Sequence, residues 1–164
     1  MIQKKVALLG ASGVGKTSLV RRFVESLFDD HYLTTIGVKV DKKLVSVCGQ
    51  DVTLMLWDVA GAEERFTVPT SYVRGAAGFL LVVDGTRPET LTAAADIARQ
   101  VLRDLGDLPF VLVFNKADLA DQWQMTDDDA TGGFGSEPVY VVKTSAKTGE
   151  GVDEAFLQLA AALV

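Results

Sequence analysis

The chain has 164 residues, of which 48% are hydrophobic and 23% charged, the balance of a folded globular protein with one substantial core. Its net charge of −6 excludes the cationic face that a nucleic-acid binder or a polybasic membrane docker needs. A lone cysteine, Cys48, excludes an internal disulfide and a zinc-type ligand set.

Short apolar runs alternate with helical patterns along the chain. Val6 to Leu9 reads as a first strand covered on both faces. GASGVGKT, Gly10 to Thr17, follows it and leads into a helix. The match to GxxxxGK[ST] predicts a phosphate-binding loop, because glycines let backbone N–H groups curl inward at a helix N-terminus. Lys16 then places a charge on the terminal phosphates, and the Thr17 hydroxyl can ligate Mg²⁺. Strands around Val38 to Val47 and Val52 to Trp57 flank Cys48-Gly49-Gln50-Asp51, a hairpin signal. The second of them leads into Asp58-Val59-Ala60-Gly61. There an aspartate can hold Mg²⁺ through a water, and the Gly61 N–H can approach a terminal phosphate unobstructed. Alone, the same aspartate also suits a strand cap.

Phe79 to Val83 is the next strand. Leu91, Ala94, Ile97, Val101 and Leu105 then recur at helical spacing, after Pro88-Glu89 and before Gly106. Phe110 to Phe114 ends at Asn115-Lys116-Ala117-Asp118. The Asp118 carboxylate can accept from the N1 and N2 hydrogens of guanine, a donor pair that adenine lacks. Lys116 would pack along the base and Asn115 would tie neighbouring loops. A polar turn is the alternative. From Asp121 to Pro138 the acidic and glycine-rich composition leaves at most a short helix. Val139 to Val142 precedes Thr144-Ser145-Ala146-Lys147, whose backbone N–H groups could meet the guanine O6, although Ser145 also suits a plain turn. A last helix carries Val152, Phe156, Leu159 and Leu163 on one face, with Asp153 and Glu154 near its positive end. All these motifs fall at the carboxyl ends of strands, where open parallel sheets bind ligands.

GASGVGKTS, TTIG, WDVAG, NKAD and TSAK stand in an order and spacing that resemble a small Ras/Rab-type GTPase from first strand to last helix. The run SYVRGAAGFLLVVDGT is also similar to bacterial relatives of that family. The resemblance implies a three-layer α/β P-loop G-domain over residues 1–164. Its six-stranded sheet is mostly parallel with one antiparallel strand, and helices lie on both faces. It implies GTP or GDP with Mg²⁺, held by Gly13, Val14, Gly15, Lys16, Thr17, Ser18, Asp58, Gly61, Asn115, Lys116, Asp118, Ser145, Ala146 and Lys147. Residues 28–37 resemble switch I, which implies Phe28 against the guanine, Tyr32 near the phosphates, and Thr35 on Mg²⁺ and the terminal phosphate. Metal ligation then falls to Thr17, Thr35 and Asp58, and catalysis to Lys16, Thr35, Gly61 and the position of Ala62. His31, the only histidine, reads as a surface residue.

The chain departs from the family pattern in three places. Ala62 stands where the family usually has a water-orienting glutamine, and Glu63-Glu64 lengthens that segment by one residue before Arg65-Phe66. Switch I contains no arginine. The segment after NKAD falls short of a full helix. The expected function is a GTP-hydrolysing switch, slow without a partner. The alternatives are a GTP-loaded scaffold, favoured by Ala62, and a P-loop kinase, which NKAD and TSAK oppose. Exchange and activating proteins and an effector are the expected partners, touching Val38 to Val40, Trp57 and Phe66 to Tyr72. A cytoplasmic location is expected, since no signal peptide, spanning run or lipidation motif is present.

Overall fold

The computed structural model describes residues 2–25, 38–59, 70–130 and 132–164. In chain order these form β1 (Ile2–Leu9), α1 (Lys16–Glu25), β2 (Val38–Val47), β3 (Gln50–Val59), α2 (Thr70–Val73) and β4 (Gly78–Asp84). They continue with α3 (Pro88–Leu105), β5 (Phe110–Asn115), β6 (Tyr140–Lys143) and α4 (Val152–Leu163). The strands make one sheet in the order β2-β3-β1-β4-β5-β6. Only the β2–β3 pair is antiparallel. The expected six-stranded sheet with one antiparallel strand is therefore the observed one.

Side-chain alternation on the central strands divides the core into two layers. Val6 and Leu8 of β1, Leu80 and Val82 of β4, and Val111 and Val113 of β5 face α1 and α4, meeting Leu19, Phe23, Phe156 and Leu159. Ala7, Leu9, Phe79, Leu81, Val83, Phe110, Leu112 and Phe114 face the other way, against Ile97 and Val101 of α3. Because both faces are covered, these strands read as unbroken apolar runs rather than alternating ones. Phe23 and Phe156 stack with ring centroids 4.1 Å apart and close the first layer. Truncating Phe156 to alanine would cost about 3–5 kcal/mol, because the surrounding helices relax only partly into the space.

Several element bounds differ from the sequence reading. β1 starts at Ile2, not Val6, since residues from Ile2 onward pair with β3 from Val52. That outer half is only partly buried and so lacks the apolar signature. The hairpin turn is Cys48-Gly49 alone, both with positive φ, 52° and 76°, as a two-residue type I′ turn requires. β3 consequently begins at Gln50, and at its other end it runs on to Val59, paired with Val38, so that Asp58 lies within the strand. β6 begins at Tyr140 rather than Val139. Between Asp118 and β6 the described residues form only short 3-10 turns, Ala120–Gln122 and Asp127–Ala130. The expected shortfall of helix is real. Trp123 and Met125 pack there against the α3-side core instead, and Phe134 sets its ring edge to Phe110.

Candidate functional site

β1 lies inside the sheet with β3 on one side and β4 on the other, and each of these pairs is parallel. The carboxyl ends of β1, β3, β4, β5 and β6 therefore open on one crevice, the place where such sheets bind ligands. Gly10 to Gly15 form the loop between β1 and α1. Lys16, the first residue of α1, folds its side chain back over this loop and donates from Nζ to the carbonyls of Gly10 and Ala11, both at 3.1 Å. It is 6% exposed. Burial pushes its ammonium down to about 8, against the Asp58 charge, which pulls it up. An anion in the loop would offset that desolvation.

Thr17 Oγ1 donates to Asp58 Oδ2, which joins the start of α1 to the end of β3. Asp58 is buried. A hydroxyl and a carboxylate brought together are hard oxygen donors of the kind Mg²⁺ takes, so this pair fits the expected metal.

Asn115 ends β5 and is 2% exposed. Its Nδ2 donates to the Val14 carbonyl at 2.9 Å, and its Oδ1 accepts from Thr144 Oγ1 at 2.9 Å. One amide thus holds the phosphate loop, the NKAD turn and the segment after β6. Gly15 is required beside it: its φ is +103°, and a Cβ there would collide with Asn115 Nδ2. Lys116 has φ +72°, a conformation uncommon for a residue with a side chain and typical of functional sites. The turn sends its Nζ to the Gly13 carbonyl at 2.9 Å and to Asp84 Oδ2 at 2.9 Å. Ser145 Oγ donates to Asp118 Oδ1 at 2.8 Å, while the Thr148 N–H donates to Ser145 Oγ at 3.1 Å. Ala146 is buried and Lys147 exposed.

The expected roles of Phe28, His31, Tyr32, Thr35, Gly61, Ala62, Glu63 and Glu64 lie outside the described residues. Gly13, Val14, Gly15, Lys16, Thr17, Asp58, Asn115, Lys116, Asp118 and Ser145 are brought together. Ser18 follows Thr17 in α1.

Asp84 and Arg87 were not singled out in the sequence. Asp84 ends β4 opposite Asn115 of β5 and is 1% exposed. It accepts from the Thr86 N–H at 2.8 Å, Thr86 Oγ1 at 2.6 Å and Arg87 Nε at 3.0 Å. Burial pushes its carboxyl up, but the Thr86 and Lys116 hydrogen bonds outweigh that and hold it below its ordinary value. The available signal was an aspartate closing an apolar run, with Thr86 two residues on and Pro88 opening a helix, an Asx-turn pattern.

A glycine-rich loop ahead of a helix, a buried lysine folded over it and a Thr–Asp pair beside it define a P-loop nucleotide-binding protein. The Ras family model matches residues 5–164. The chain is 36% identical to the Ras-related protein Rab-30 of Homo sapiens over 161 residues, 98% of this chain and 79% of that protein. It is 39% identical to the Ras-related protein Rab-4A of Rattus norvegicus over 163 residues, 95% of this chain and 72% of that protein. With the Ras-related protein Rab-4 of Dictyostelium discoideum the identity is 37% over 156 residues, 94% of this chain and 76% of that protein. The chain belongs to the Ras family and is a Rab-like small GTPase. Among the described residues, no helix is long and apolar enough to cross a membrane.

Proposed function

We propose that residues 1–164 form one G-domain that cycles between GTP and GDP, hydrolysing GTP slowly unless a partner assists. The observation that carries the guanine reading is the Ser145–Asp118 hydrogen bond. It fixes a carboxylate beside the loop whose N–H groups would face O6, and leaves Asp118 Oδ2 to accept from the base edge. Asn115, through Val14 and Thr144, keeps that base site at constant distance from the phosphate loop.

In the proposed reaction water attacks the terminal phosphorus in line, the bond to the bridging oxygen breaks, and GDP and inorganic phosphate leave. The phosphate-loop N–H groups and Lys16 stabilise the charge that shifts toward the bridging oxygen. Mg²⁺, when bound, neutralises charge on the phosphate oxygens, and Thr17, Asp58 and Thr35 are the residues to hold it. The Gly61 N–H is assigned to the terminal phosphate. Ala62 has no group to orient water, so an arginine or amide supplied in trans completes the site.

We assign the partner surface to Val38 to Val40, Trp57 and the region around Phe66 to Tyr72. Val40 pairs directly opposite Trp57 across β2 and β3, so the two share one face. Val40 is 40% exposed, and Trp57 is capped by Lys5 Nζ, 3.7 Å above its ring. Tyr72 packs partly on the α3-side core, so it also fills space. An activating protein, an exchange protein and an effector read this surface according to the bound nucleotide, and the cytoplasm is the proposed setting.

The decisive experiment is identification of the nucleotide retained by the purified chain, followed by single-turnover GTP hydrolysis. Guanine nucleotide with slow turnover supports the switch. Retained GTP with no turnover over days supports the scaffold reading that Ala62 favours. Equal retention of adenine nucleotides would overturn both.

A further inference from the structure

Arg87 is the residue immediately before α3, and its backbone is fixed on both sides. Its N–H donates to the Asp84 carbonyl at 3.0 Å, and its own carbonyl accepts from Thr90 Oγ1 at 2.7 Å. The preceding turn is clamped as well. The Gly85 N–H donates to the Asn115 carbonyl at 3.0 Å, and the Gly85 carbonyl accepts from the Gln124 N–H at 2.9 Å. The Trp123 indole lies so close over Gly85 that a Cβ there would enter the ring.

From this anchored position the guanidinium makes a fork. Nε donates to Asp84 Oδ2 at 3.0 Å, and Nη2 donates to the Ser12 carbonyl at 2.9 Å. Nη2 also comes within 3.3 Å of where a Gly13 Cβ would stand. Ser12 and Gly13 are thus adjacent peptides with a cation on each carbonyl, Arg87 on the first and Lys116 on the second. Both cations lean on the same carboxylate oxygen of Asp84.

In a trans peptide the N–H points opposite to the C=O. A cation on the Ser12 carbonyl therefore sets the Gly13 N–H on the side away from Arg87. A charge-assisted hydrogen bond also draws electron density to that carbonyl and makes the N–H a stronger donor. Rotation of the Ser12–Gly13 peptide would break the Arg87 bond. We propose that Arg87 is a positioning residue for the phosphate site, pinning and polarising the Ser12–Gly13 peptide from outside the loop. This rests on the nucleotide-binding reading above. The planar fork matters, because a lysine ammonium is a point charge that cannot present the same paired geometry.

The Arg87 side chain is 39% exposed, so truncating it opens no core. The test uses the full chain loaded with GDP and Mg²⁺. Release of a fluorescent GDP analogue and the ³¹P resonance of the bound β-phosphate are measured for wild type, Arg87→Ala, Arg87→Lys and Arg103→Ala. Arg103 is an exposed arginine farther along α3 and serves as the control. Arg87→Ala should release nucleotide about tenfold faster, the scale of one charge-assisted hydrogen bond, and should move the β-phosphate resonance. Arg87→Lys should fall between them without full rescue, and Arg103→Ala should match wild type. Wild-type release and an unmoved resonance in Arg87→Ala, with wild type holding GDP, would overturn this role alone. Full rescue by lysine would overturn the fork. A wild-type chain that retains no guanine nucleotide would overturn the proposed function and this role together.

Discussion

The Asn115 side chain donates to the Val14 carbonyl at 2.9 Å across 101 residues of sequence, inside a buried contact. It joins the loop assigned to the base with the loop assigned to the phosphates. Asn115→Ala would orphan the Thr144 hydroxyl as well as the Val14 carbonyl, each at about 1–3 kcal/mol. Nucleotide release should accelerate at least tenfold, while Asn115→Asp should fail to rescue because it replaces the donor with an acceptor. Stopped-flow dissociation of labelled GDP reads the effect. A rate unchanged in Asn115→Ala would show that the loops are held by other means.

Asp118→Asn should shift preference from guanine toward xanthine nucleotides. Asparagine offers a donor where guanine also offers donors, whereas xanthine presents an acceptor at that edge. Competition binding against GTP, XTP and ATP measures this. Equal binding of ATP and GTP by the wild type would contradict the role given to Asp118.

Chelation of Mg²⁺ should speed nucleotide release, because the Thr17 hydroxyl and Asp58 carboxylate lie together as hard oxygen donors. Thr17→Ala should release nucleotide quickly with or without chelator. Off-rates indifferent to excess chelator in the wild type would remove the metal from this pair.

Asp84 carries a pH dependence of defined sign. Its folded carboxyl titrates below the ordinary carboxylate value, so its stabilisation is complete above the unfolded pKa of about 3.9 and is lost as pH falls through the lower folded value. Asp84→Asn forfeits that contribution at neutral pH. Its melting temperature should lie several degrees below wild type at pH 7, and the gap should narrow below pH 4. Thermal scans between pH 7 and 3 decide it, and a gap constant across that range would refute the linkage.

Ala62→Gln should raise single-turnover GTP hydrolysis, or leave it unchanged if the extra residue Glu63-Glu64 shifts the amide off the reacting phosphate. Arginine supplied by a partner should have the larger effect, since such groups are worth roughly 10³ to 10⁵ in turnover for GTPases. A variant markedly slower than wild type would mean that Ala62 belongs to a different working geometry.

The two longest described helices and the central strands were legible because their signals are local and dense. β4 and β5 are buried on both faces and appear as apolar runs, and α3 shows its stripe between Pro88 and Gly106. The first strand's outer half was not, since a half-exposed strand leaves no apolar run to read, whereas the acidic, glycine-rich composition after Asp118 did announce the missing helix. The Val40–Trp57 pairing depends on the β2–β3 register, which the hairpin turn suggested but only its observed geometry fixed.

By itself the sequence determined that a phosphate loop, an aspartate at the end of β3 and NKAD and TSAK turns exist in this order. Each is a short contiguous stretch whose chemistry follows from backbone conformation and one or two side chains. Tertiary structure alone decided which of those stretches touch. Asn115 meets Val14, Asp84 meets Lys116 and Arg87 meets Ser12, because parallel pairing sets Asp84 beside Asn115 at the ends of β4 and β5. No local pattern encodes a contact made across sheet register, so the clasp on the phosphate loop becomes visible only when the strands are laid side by side.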